Sequence, residues 1–383
     1  MSTKKIALFE LGFRPFYLLA ALWTVWVIVQ WILELNGIPG KFNQDISSMQ
    51  WHAHEMIFGF ATTVICGFAL TAVKAWTGLD TPRGYALGSL TALWLIGKIG
   101  TIFSSVFIVA EVLFLPAIAI ITAKLILDKK QYRNLFLPLI LTLLANLNIF
   151  FYLAIFNRIS FDPNSILIAS LYLILVIEFI IGGRVIPSFT ANALLGLKQY
   201  RSSLLAKVTL ISSIAALITQ LVFELGYLSS ALCLIAAILQ LRLLIGWNPI
   251  ATRHKPILWI LHASYSWIFI GFILLGIHSL GLISIYPAIH AFGIGLTGGL
   301  IIGMITRTAL GHTGRELKAG KIEISAYVLV QVTTLLWLLS HLINDAMIQL
   351  LTLAGTTWSL AFVLYMYKYI PYLVYPRFDG KPG

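Results

Sequence analysis

The segment Trp51-His52-Ala53-His54-Glu55-Met56-Ile57-Phe58-Gly59-Phe60-Ala61-Thr62-Thr63-Val64-Ile65-Cys66-Gly67-Phe68-Ala69-Leu70-Thr71-Ala72-Val73-Lys74 opens on two histidines and a glutamate, then runs uncharged to its final lysine. A helix needs about 20 apolar residues to cross the hydrocarbon core of a bilayer, and this stretch suffices. Ionisable side chains in lipid are costly and mark functional sites, and neutral imidazole is the commonest metal ligand. The segment therefore reads as a membrane helix with a metal- or haem-binding group at its entrance.

The rest of the chain has the same character. Its 383 residues are 59% hydrophobic and 10% charged, with a mean hydropathy of +0.92. A soluble domain would be about 25% charged. The length rule gives an all-α bundle of about twelve spans in one transmembrane domain, 1–383: 13–36, 51–74, 84–103, 104–127, 134–156, 165–190, 203–225, 228–247, 256–281, 284–310, 322–343 and 346–371. The least defined turn lies within 84–127, where only Gly100 and Ser104-Ser105 punctuate the apolar run. No soluble domain fits between the spans. Alternating strands are absent, which excludes a barrel. The run after Lys4 and Lys5 is long enough to span and lacks a small-residue cleavage site, so no cleavable signal peptide is expected.

Charge fixes an orientation. Of the 26 Lys and Arg, all but four cluster at one set of span ends. Lys41 and Arg158 mark the opposite set, while Lys98 and Arg184 fall inside spans. By the positive-inside rule both termini are cytoplasmic, and the net charge of +12 reflects topology rather than nucleic-acid binding. Cys66 and Cys233 lie in apolar runs as small hydrophobes, not a disulfide. No C-x-x-C-H occurs, which excludes covalent c-type haem attachment on this chain.

Orientation gives the histidines depth. His52, His54, His278, His290 and His341 fall towards the outer face, His262 in the inner half of its span, and His254 and His312 at the inner surface. Twenty-two helical residues separate His290 from His312 by about 33 Å, so the two cannot share a metal. His52 and Met56, four residues apart, share a helix face with Glu55 close by, and His54 looks towards Phe58. One helix then serves two sites, or one ligand and its supporting partner; an unwound first turn would let both histidines converge. Gly295, Gly299 and Gly303 form a row suited to close helix packing. The alternative is a flat face for a porphyrin, with His290 as axial ligand and Gly293 one turn below. His262 and Tyr265, with Ser266 beside them, are either interhelical glue or a haem ligand and relay. Arg184, Arg307 and Arg315, with His312 beside the last two, either snorkel to headgroups or clamp haem propionates. Lys98 and Glu111 are placed to pair across neighbouring antiparallel spans, and Glu178 is a mid-membrane carboxyl suited to carrying a proton.

Several blocks together resemble the NnrS family: Phe9-Glu-Leu-Gly-Phe-Arg14-Pro-Phe16, Trp51-His-Ala-His-Glu-Met-Ile-Phe-Gly59, Gly182-Gly-Arg-Val-Ile-Pro187, Leu258-Trp-Ile-Leu-His262, and His290 followed by Thr306-Arg-Thr-Ala-Leu-Gly-His-Thr-Gly-Arg315. The resemblance covers nearly the whole chain. It implies a polytopic bacterial inner-membrane protein that contains b-type haem and copper and is linked to nitric-oxide metabolism and nitrosative stress. The motif histidines are His52, His54, His262, His290 and His312; Met56 and Met304 are soft donors suited to reduced copper. His254, His278 and His341 fall outside the blocks. The implied function is protection against nitric oxide by binding or redox turnover at haem, with the bilayer, nitric oxide and an electron donor such as quinol as partners, and no nucleic acid. One alternative is a haem-copper-type NO or oxygen redox enzyme, against which the missing adjacent His-His pair counts. The other is a multi-span transporter of a metal or nitrogen oxide.

Overall fold

The computed structural model describes residues 6–42, 45–223 and 226–381; Lys4 and Lys5 of the charge pattern lie outside them. Among the described residues there is no strand, and twelve helices are long and apolar enough to cross a membrane. They are α1 Phe13–Leu35, α2 Ser48–Thr77, α3 Tyr85–Phe103, α4 Ser105–Asp128, α5 Tyr132–Ile155, α6 Pro163–Ala193, α7 Ser203–Phe223, α8 Tyr227–Gly246, α9 Pro256–Ser279, α10 Tyr286–His312, α11 Lys321–Ser340 and α12 Met347–Val374. Each expected span coincides with one of them. The weakly punctuated turn falls at Ser104, whose extended backbone ends α3 and whose hydroxyl receives the Val106 N–H. Cys66 and Cys233 are free and buried.

Among the described residues, two segments within the spans widen to π-helical winding. Glu55–Ala61 in α2 and Ala291–Gly298 in α10 are π-helical, and each begins directly after a motif histidine, His54 or His290. Such wide turns are rare and frequent at functional sites. They leave no mark on the 3.6-residue periodicity of the chain.

The chain groups into two compact units. The first holds the residues through Leu173 with Ile305–Leu317 and those from Phe362 onward; the second holds Ile174–Met304 and Lys318–Ala361. Within the first, glycines set the approach of neighbouring helices. A Cβ at Gly67 of α2 would press on Phe13 and Phe16 of α1, and one at Gly97 of α3 would lie 2.7 Å from the backbone of Glu111 on α4. That contact brings Lys98, the next residue, onto Glu111.

The first unit is closed at one end by Arg14. It is fully buried, and its Nη1 donates to the carbonyls of Leu373 and Tyr375, each at 2.9 Å. These belong to the carbonyls at a helix C-terminus that have no partner within the helix. Arg315 stacks on Tyr372 at 3.7 Å, and Arg377 donates to the His312 carbonyl at 3.1 Å while pairing with Asp379 at 2.7 Å. That pairing holds the Asp379 carboxyl far below its usual range. The sequence blocks around Arg14 and Arg315 thus meet at the end of α12. Arg14→Leu should cost about 1.5–3 kcal/mol for each carbonyl bond lost, seen as a lower temperature for loss of monodisperse protein on heating in detergent. Unchanged heat resistance would show that the Arg14 contacts carry no weight.

Candidate functional site

The first cluster grows from the start of α2. The Ser47 hydroxyl receives the Gln50 N–H, so regular helix begins at Ser48 and both histidines are helical. They face opposite ways. The His52 ring stacks on Trp31 of α1 at 4.7 Å, and Met56 accepts the Thr24 hydroxyl of α1 at 3.5 Å. His52 and Met56 share a face as their spacing requires, and His52 Nδ1 is buried without a hydrogen-bond partner. His54 looks towards α5, stacked on Phe151 at 4.6 Å and 4.9 Å from Phe58. The two histidines do not converge on one point.

His54 spends both its nitrogens on neighbours. Nδ1 lies 2.9 Å from Glu55 Oε1, and Nε2 lies 2.8 Å from Asn148 Oδ1 and 3.5 Å from Glu111 Oε1. Lys98 Nζ sits between the two carboxylates, 2.9 Å from Glu55 Oε2 and 2.6 Å from Glu111 Oε1. Trp23 Nε1 donates to Glu55 at 2.7 Å, and the Tyr152 hydroxyl donates to Glu111 at 2.8 Å. One buried network therefore ties α1 through α5. The Lys98–Glu111 pair was legible in the sequence; the entry of Glu55 and His54 was not, because it depends on where α2 lies against three other helices. Gly59 is part of the fit, since a Cβ there would collide with Trp23 and Glu55. A small cavity between Lys98, Glu111 and Asn148 on one side and Phe58, Trp94 and Phe114 on the other has room for about one water.

His54, Glu55 and Glu111 each offer a ligand atom within 4.8 Å of the others, a set that could hold a metal ion. Two oxygen donors and one imidazole suit harder ions better than copper, which favours sulfur and imidazole. The Lys98 ammonium also already occupies the place between the carboxylates. The cluster fits an internal, self-compensated charge network better than a copper site. The softer donor pair, His52 and Met56, lies on the opposite face of α2.

The second unit holds His262 and His290. His290 stacks on Trp337 of α11 at 3.6 Å, and Trp337 stacks in turn on His341 at 4.0 Å, so a histidine outside the motif blocks joins the group. The glycine row serves helix packing: Cβ atoms at Gly295, Gly299 and Gly303 would run into Trp267, Ser264 and Leu261 of α9. One at Gly293 would meet nothing within 4 Å, so the face one turn below His290 is open. Glu178 of α6 accepts from Thr297, on the π-helical segment, at 3.2 Å. In α9, Tyr265 bonds Gln240 of α8 at 3.0 Å and Gln240 bonds Ser213 of α7 at 2.9 Å, which makes Tyr265 the interhelical glue. His262 bonds only through Nε2, 2.8 Å from Thr190 Oγ1, and its Nδ1 is buried and unpartnered.

Of the remaining expected site residues, His312 lies against Phe13 at 5.4 Å in the first unit, and Arg315 is held by Tyr372 and the Thr313 carbonyl. Arg307 is half-buried in the first unit, and Arg184 is exposed in the second.

A family model described as NnrS protein matches residues 7–377. No curated protein matches the chain.

Removing one partner of a buried ion pair leaves an uncompensated charge, at about 3–5 kcal/mol. Lys98→Met should therefore sharply lower heat resistance in detergent, and Lys98→Met with Glu111→Gln, which strands one carboxylate in place of two, should recover part of it. Equal losses in single and double variants would contradict charge compensation. Gly59→Ala should destabilise as well, and wild-type heat resistance there would show that Trp23 and Glu55 move aside freely.

Proposed function

The chain belongs to the NnrS family, whose model spans nearly all of it, and from that premise we propose a haem- and copper-binding membrane protein that protects against nitric oxide. The observation that carries the reading is the state of the buried imidazoles. His52 Nδ1 and His262 Nδ1 are enclosed within membrane spans with no hydrogen-bond partner. Leaving a buried acceptor unmade costs about 1–3 kcal/mol, a cost that metal coordination removes.

The residues divide the work. His52 and Met56 offer a borderline and a soft donor on one face of α2, a set that suits copper. His290, braced by Trp337 beside the open face at Gly293, and His262 offer imidazole to haem iron or copper. Haem, if bound there, would supply an iron able to take nitric oxide. Arg315, Arg307 and Arg184, with His312, are the candidates for haem carboxylates. The Glu55–Lys98–Glu111 network holds α2 in place, so that His52 keeps its orientation. The lysine and arginine bias supports a bacterial inner-membrane location with both termini in the cytoplasm.

A transporter is the second reading, favoured by the buried ionic network, since charges within membranes also mark transport pathways. Protein purified in detergent from haem- and copper-replete cells separates the two. The reduced-minus-oxidised spectrum should show a Soret band that shifts on adding nitric oxide, with copper present by metal analysis. Folded protein with neither haem nor copper would overturn the cofactor reading and leave the transporter.

A further inference from the structure

We propose that Thr190 is a positioning residue that fixes the proton of His262 on Nε2 and so presents Nδ1 as a metal donor. The inference rests on the cofactor reading above and names the atom and its support.

Counting protons assigns the tautomer. The Thr190 hydroxyl donates to the Ile186 carbonyl one turn earlier in α6, at 2.9 Å, a common habit of threonine within a helix. A hydroxyl has one proton. Having given it to Ile186, the same oxygen can only accept from His262 Nε2, which lies 2.8 Å away. The ring therefore carries its hydrogen on Nε2 and a lone pair on Nδ1. His262 is 3% exposed, and Nδ1 has no hydrogen-bond partner.

The polar side chains next to His262 on α9 each have a partner. Tyr265 reaches Gln240, Ser266 closes onto the Ala263 carbonyl at 2.6 Å, and Ser264 receives Gln331 at 3.3 Å. Of these four, only His262 has a buried side-chain atom with no hydrogen-bond partner. Metal-binding histidines commonly donate the opposite ring N–H to a fixed oxygen, which sets the tautomer and orients the ring. Thr190 supplies that oxygen. The contact also joins two of the sequence blocks, since Ile186 belongs to Gly182–Pro187 and His262 closes Leu258–His262. The ligand it suits is a metal that takes neutral imidazole, found either as haem iron or as a copper ion.

The test uses the full chain, purified in detergent from haem- and copper-replete cells as wild type, Thr190→Val, Thr190→Ser and His262→Ala. Haem is read as the pyridine haemochrome, copper by elemental analysis, and the centre itself by optical and electron paramagnetic resonance spectra. Loss of a supporting partner typically weakens metal binding about 10–100-fold, so Thr190→Val should lower metal retention and shift the spectrum. Thr190→Ser, which keeps the hydroxyl, should restore both, and His262→Ala should lose the metal. Loss of haem with copper kept assigns the iron; the reverse assigns copper. A metal-loaded wild type whose Thr190→Val variant keeps the same content and spectrum, even with a lower melting temperature, overturns the proposal and leaves the cofactor reading standing. This arm decides even where His262→Ala fails to fold. A wild type with neither haem nor copper overturns both.

Discussion

Inside a bilayer no water is at hand to satisfy a polar group, so every buried charge must find its partner within the chain. The Glu55–Lys98–Glu111 network meets that demand in the first unit. Two carboxylates, one ammonium and the His54 ring, with Trp23, Asn148 and Tyr152 around them, bond to one another at 2.6–3.5 Å across five helices. The ammonium cannot leave without stranding two negative charges, nor can either carboxylate leave without loosening it. The glycines at 59 and 97 are required by the same closeness, because side chains there would hold the helices apart.

Arg14 turns to the last carbonyls of α12, Tyr265 to Gln240, and Glu178 to Thr297. Among the side-chain atoms buried with no partner are Nδ1 of His52 and Nδ1 of His262, both within spans. One shares its face with a thioether, the other has its opposite nitrogen anchored on a hydroxyl. Both arrangements suit a donor held ready for a metal. His54, which sequence alone ranks beside His52, bonds within the charge network and lies in the set with Glu55 and Glu111 that could hold a metal ion.

The spans were legible because bilayer thickness sets a length that apolar runs reveal. Lys98 and Glu111 were legible as a pair because a short turn places their antiparallel helices side by side. Other features arise only from tertiary packing. The π-helical turns after His54 and His290 leave no trace in a 3.6-residue pattern, and Glu55 joins Lys98 only once α2 lies against α3 and α4. Arg14 reads in sequence as an end charge, although it is fully buried. The glycine row in α10 allowed packing or a porphyrin face; its neighbours on α9 assign it to packing, while Gly293 keeps the open side. Thr190 carried no signal, since one threonine in an apolar helix resembles any other until His262 is seen beside it.

Buried imidazoles of this chain, on this reading, bind a metal. X-ray absorption at the iron and copper edges of the purified protein tests it most directly. The expected result is the multiple scattering of coordinated imidazole at one edge or both, reduced in His52→Ala and His262→Ala. Spectra with no imidazole contribution beyond the porphyrin at either edge, or with one unchanged in both variants, would contradict it.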